Sequence, residues 1–104
     1  MRPMTTSLAQ CLLVAHVLVA DGIMTDEERA FLQATSDRLG LTPDERAQVT
    51  ELAGIEDAKA VLRALPTGDR ELMMDMLVDA ASSDGRLGPQ ELAAVRGLAD
   101  ALGL

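Results

Sequence analysis

The 104-residue chain contains no tryptophan or tyrosine, one phenylalanine (Phe31), one cysteine (Cys11) and one histidine (His16). One aromatic side chain cannot supply the series of platforms on which nucleic-acid bases stack. Positive charge is scarce as well: 9 Lys plus Arg stand against 17 Asp plus Glu, a formal charge of −8. Nucleic-acid binding draws on a cationic surface that neutralises phosphates, so nucleic acid is not an expected partner. A single cysteine cannot close an internal disulfide, and its place in an apolar run predicts a small buried side chain rather than a reactive thiol. This cysteine usage fits a reducing cytoplasm.

The patterns of nucleophilic catalysis are also missing. Cys11 and His16 lie five residues apart and so face different sides of one helix, and there is no glycine-rich phosphate loop or serine elbow. The chain is not expected to be an enzyme. Near the start, Arg2 and the apolar stretch from Cys11 to Ala20 have the outline of a signal peptide, and Leu8-Ala9-Gln10-Cys11 that of a lipoprotein cleavage site. Gln10 is too large for the position before a lipidated cysteine, and the run is broken by His16 and too short to span a bilayer. A buried helix, with no membrane insertion, is the expectation.

What the sequence has in abundance is leucine and alanine, seventeen and sixteen of them, within a hydrophobic share of 48%. Both are strong helix formers, whereas strands favour β-branched and aromatic residues. Helix starts and stops divide the chain into six segments. The first runs from about Thr6 to Ala20, apolar on most sides and hence central. The second opens at Thr25 with Glu28 as its capping-box partner and ends at Leu39-Gly40. A third begins at Thr42-Pro43, with Glu45 completing another capping box, and stops near Ala53-Gly54. The fourth spans about Glu56 to Leu65 before Pro66. The fifth runs from about Gly68 to Ser83, with Leu72, Met73, Met76, Leu77 and Ala80 as its apolar positions. The sixth opens at Pro89. Short connections join all six, so a single all-α domain over residues 1–104 is expected: a compact bundle of about six helices.

The chain also repeats itself. Displacing it by 63 residues aligns Leu12–Leu41 with Asp75–Leu104 without a gap, and eight of the thirty pairs are identical, among them Asp21/Asp84, Gly22/Gly85 and Glu28/Glu91. Composition alone gives about two or three. Each copy reads as helix, Asp-Gly turn, helix, Leu-Gly-Leu, and such a hairpin cannot bury its apolar face alone. Two pseudo-twofold-related hairpins, residues 12–41 and 75–104, joined by a two-helix connector over 42–74, follow from that pattern.

The residues with chemical potential are Asp21, Glu28, Asp84 and Glu91. In each copy an aspartate ending one helix faces a glutamate in the first turn of the next, across a glycine that permits chain reversal. Oxygen ligands of this kind suit calcium, magnesium or manganese. Asp-Gly and the later Glu also have EF-hand spacing, with glycine sixth and glutamate twelfth. The first and third ligand positions, however, are Val17 and Val19 in one copy and Ala80 and Ser82 in the other, so at most half a calcium cage is present. The competing reading is structural: Glu28 caps Thr25, Asp21-Gly22 ends a helix, and nothing binds. Glu91 stands apart, because its cap position is Gly88, which has no hydroxyl to reciprocate.

Val19-Ala20-Asp21-Gly22-Ile23-Met24-Thr25-Asp26-Glu27-Glu28, followed by Phe31-Leu32 and Leu39-Gly40-Leu41, resembles the tellurite-resistance TerB-like family. The second copy, Ala80 to Glu91, matches the same pattern, and the resemblance covers nearly the whole chain. It implies an all-helical bundle whose acidic residues near these turns chelate metal, found in bacterial stress-response, tellurite-resistance and phage-defence settings or fused to co-chaperone J domains. By motif position the carry-over reaches Asp21, Glu28, Asp84 and Glu91. Arg86 departs from the pattern by placing a cation beside the second turn.

Two further features have structural readings. His16 lies in the most apolar helix, with Asp79 at the matching place in the second copy, and a core or edge histidine is the expected role. Met73, Met74 and Met76 are spaced for core packing, or for a flexible partner-binding surface where exposed. The functional expectation is a cytoplasmic, non-enzymatic TerB-like adaptor with protein partners, binding a divalent cation weakly at its acidic turns. The alternative is a metal-independent interaction module, whose partner is another protein or a second copy of itself, with acidic residues that only cap helices.

Overall fold

A computed structural model describes residues 4–20, 22, 24–82 and 88–104. Within them lie six helices and no strand: α1 (Thr6–Leu18), α2 (Asp26–Leu39), α3 (Pro43–Thr50), α4 (Ile55–Arg63), α5 (Thr67–Ala81) and α6 (Pro89–Ala101). The all-α expectation holds.

α1 is the centre of the molecule. It packs against each of the other five helices, most extensively against α4. Nine of its residues, from Leu8 to Leu18, are buried, which is why its sequence carries no polar face. Such burial stabilises by roughly 1.5–3 kcal/mol for each large aliphatic side chain. Leu62 of α4, Met73 and Leu77 of α5, and Leu98 and Leu102 at the end of α6 close the same core around it. The hairpin partners α1–α2 and α5–α6 lie side by side, and α1 also packs on α5. The segment read as a connector is thus half structural core, since α4 supplies the largest neighbour of the central helix.

Local signals set the helix ends. Thr25 and Glu28 form a reciprocal capping box on α2, with Thr25 N donating to Glu28 Oε1 at 2.9 Å and Glu28 N donating to Thr25 Oγ1 at 3.1 Å. Thr42 and Glu45 do the same for α3, at 2.9 and 3.2 Å. Gly40 closes α2 in the left-handed region at φ 69°, and Arg46 then ties α2 to α3 through Asp37 at 2.7 Å and the Leu41 carbonyl at 3.1 Å. At the far end Arg70 Nη1 donates to the Leu102 carbonyl at 2.6 Å, satisfying an acceptor at the end of α6 from the start of α5.

Several expectations are corrected, among them the end of α4, which falls at Arg63 rather than Leu65. α1 ends at Leu18, two residues before Ala20. α3 ends at Thr50 rather than Ala53, because Leu52 takes φ 55° and breaks the helical path before Gly54 at φ 94°. Leu72, read as one of the apolar positions of the fifth helix, is 63% exposed. The buried stripe of α5 is Met73, Leu77, Ala80 and Ala81, and at 100° per residue Leu72 points well away from its centre.

Candidate functional site

Of the four acidic residues singled out, Glu28 and Glu91 are described; Asp21 and Asp84 lie outside the described residues. Gly22, between Asp21 and α2, has φ 88°, the left-handed backbone that the turn requires. Glu28 and Glu91 occupy the same place in their helices, three residues after the N-caps Thr25 and Gly88. They are 1% and 4% exposed, and no other charged side chain among the described residues is buried. A carboxylate is rarely enclosed unless something compensates its charge. That both buried charges fall on repeat-related positions distinguishes them from the solvated acids around them.

Capping accounts for only part of this. Glu28 Oε1 accepts from the Thr25 backbone, but Oε2 is enclosed and accepts no hydrogen bond. A glutamine in that position would cap equally well, so the cap does not explain the charge. At the second turn Gly88 provides no side-chain hydrogen bond to α6, although its backbone is extended like that of Thr25. There the N-cap residue itself has no hydroxyl to offer. Depth of burial was the signal that residue spacing alone could not supply.

No group of three or more His, Cys, Asp and Glu side chains gathers in metal-binding geometry among the described residues, a set that excludes both aspartates. His16 and Cys11 are not drawn into a common site. His16 is half-buried, and burial holds its pKa below the usual value, with Lys59 lowering it further and Glu56 opposing. Among the described residues the charges that act on it, Lys59 and Glu56, are both on α4. Burial pushes the Cys11 thiol up, against the smaller pull of the Ser36 hydrogen bond and Arg46. Met73 is fully buried and Met74 and Met76 are half-buried against the core, so this cluster is mainly packing.

Two concave regions flank α2. One, of about 110 Å³, separates α2 from α5 and is lined by Phe31, Thr35, Arg38, Met76 and Asp79 over Val14. The other, of about 310 Å³, lies between α1, α2 and the α3–α4 link. No helix among the described residues is long and apolar enough to cross a membrane.

A six-helix domain built on one apolar central helix, with a buried glutamate opening the second helix of each repeat, defines a class of small all-helical modules. The family model described as tellurite resistance protein TerB matches residues 7–104, and the chain belongs to that family. No curated protein and no solved structure matches it significantly.

Proposed function

We propose that this TerB-family domain is a non-enzymatic cytoplasmic adaptor in bacterial stress or tellurite-resistance-type systems, and that it binds a divalent cation weakly at its two acidic turns. The observation that carries the cation reading is the Glu28 carboxylate, 1% exposed with one oxygen left over after capping. Asp21 and Glu28 would supply oxygen ligands at one turn, Asp84 and Glu91 at the other. Calcium, magnesium and manganese are the ions such ligands suit, and two carboxylates per turn make for weak rather than tight binding. The adaptor role draws on family membership and on a surface and charge that favour protein partners over nucleic acid.

Thermal melts with and without millimolar calcium, magnesium and manganese test this, because a ligand confined to the folded state raises the midpoint. Glu28→Gln/Glu91→Gln keeps the capping acceptors and removes the charges; Asp21→Asn/Asp84→Asn removes the other half of each pair. A rise in the parent protein that both double variants lose supports the reading. No rise in any of the three leaves the carboxylates as caps and sinks the cation site.

A second reading, a metal-independent interaction module, is favoured by Leu72 and Val78 of α5, 63% and 47% exposed. Large exposed aliphatics on one helix suit a partner protein or a second copy. Light scattering separates these: a stable dimer abolished by Leu72→Asp/Val78→Asp supports self-association, and a monomer limits the surface to a different protein.

A further inference from the structure

The cleft of about 310 Å³ between α1, α2 and the α3–α4 link has a lining unlike the rest of the surface. Its floor includes the buried side chains of Ala15 and Val49, and its walls include the half-buried Met24, Leu32 and Leu52. Arg29 is the one charged residue in the lining among the described residues, in a chain with almost twice as many acids as bases. Arg29 is exposed and makes no ion pair among the described residues, where the ion pairs are Arg46–Asp37 and Lys59–Glu56. Leu52 forms part of the wall from a backbone at φ 55°, a conformation that leucine seldom adopts. Strained backbone of this kind persists where surrounding packing holds it, and it is concentrated at ligand sites.

The dimensions select the kind of occupant. A dry apolar cavity of about 150 Å³ admits a benzene ring, and ligand pockets begin at about 300 Å³. A partner helix needs a groove that takes anchors at i, i+3, i+4 and i+7, whereas here one concavity opens beside one cation. An anion meets net repulsion from a chain of charge −8 and is held only where a guanidinium stands clear of acids in the lining. We propose that this cleft binds a small aliphatic monocarboxylate, its acyl chain against Leu32, Val49 and Leu52 and its carboxylate on Arg29. The proposal does not rest on the cation reading, since neither Glu28 nor Glu91 is in the described lining.

The test is a titration of the full chain with decanoate, decanol and decyltrimethylammonium, each below its aggregation concentration, followed by amide shifts in heteronuclear NMR. Saturable shifts centred on Arg29, Val49 and Leu52 are expected with decanoate, weaker ones with decanol and the weakest with the cation. Arg29→Gln should weaken decanoate by about tenfold, the scale of one charge-assisted contact, and leave decanol unchanged. Val19→Phe, checked for folding by circular dichroism, fills the cleft from a half-buried wall position and should weaken both decanoate and decanol. Decanoate shifts that do not saturate, equal affinity for decanoate and decanol, or indifference to Arg29→Gln would each overturn the assignment. So would shifts centred on Leu72 and Val78.

Discussion

Cys11 Sγ lies 3.3 Å from Ser36 Oγ in a buried contact that joins the middle of α1 to the last turn of α2. The Ser36 hydroxyl proton is committed to the Leu32 carbonyl at 2.9 Å, so the thiol is the donor and serine the acceptor. Burial raises the pKa of Cys11, and a thiol kept neutral and enclosed is a poor nucleophile. Folded protein should therefore react with a thiol-specific reagent only by way of unfolding, at a rate that climbs in denaturant to that of the free chain. Ser36→Ala removes the acceptor and should cost about 1 kcal/mol, with faster labelling in proportion. Rapid labelling of the native parent protein would contradict the buried contact.

The two repeat-related helix starts predict opposite outcomes for hydroxyl engineering. At α2 the cap is complete, so Thr25→Ala should cost about 1 kcal/mol, or roughly 4–8 °C in midpoint for a domain of this size. At α6 the N-cap Gly88 has φ −74° and ψ 159°, close to the −71° and 168° of Thr25. A Cβ there would come no nearer than 3.5 Å to Glu91 Oε1, an ordinary contact. Gly88→Ser should thus stabilise by a few tenths of a kcal/mol. Thermal melts of the two variants check both signs, and a loss of stability in Gly88→Ser would mean that α6 opens differently.

Features decided within a few residues were legible in the sequence. Both capping boxes, the left-handed Gly40, Pro89 at the start of α6 and the all-round burial of α1 follow from local spacing and composition. Features decided by packing were not. Leu52 ends α3 early because the α3–α4 link must turn over the core, and neither propensity nor periodicity records that demand. At the candidate site, spacing identified Glu28 and Glu91 but could not tell a solvated cap from an enclosed charge. Their burial, 1% and 4% exposed, is a property of the packed chain, so only the folded structure distinguishes them from the other acids.

Leu62 and Leu72 test the inward and outward faces directly. Both were read as apolar positions of their helices, yet Leu62 is fully buried and Leu72 is 63% exposed. Leu62→Ala removes atoms from the α1–α4 contact and should cost about 2–5 kcal/mol. Leu72→Ala should stay within about 0.5 kcal/mol of the parent. Urea denaturation with unchanged slopes gives both values. Comparable losses at the two sites would mean that Leu72 is covered, either by this chain or by a second copy.

His16 makes stability depend on pH near neutrality, with a sign that burial determines. The residue sits in the last turn of α1, where a helix terminus favours the protonated form, yet desolvation is the larger influence and Lys59 adds to it. Its folded pKa is therefore below the ordinary 6.5. Between that lower value and 6.5 the unfolded chain holds more protons than the native one, so stability rises with pH across this window. The contribution is complete above 6.5, is lost as pH falls towards the folded pKa, and levels off beneath it. His16→Gln removes this titration and leaves that of the carboxylates in place. Melting midpoints measured from pH 7.5 to 5.5 should therefore fall further in the parent than in the variant. Parallel curves would place the imidazole in contact with water, and a steeper fall in the variant would mean that the native fold stabilises the charged form.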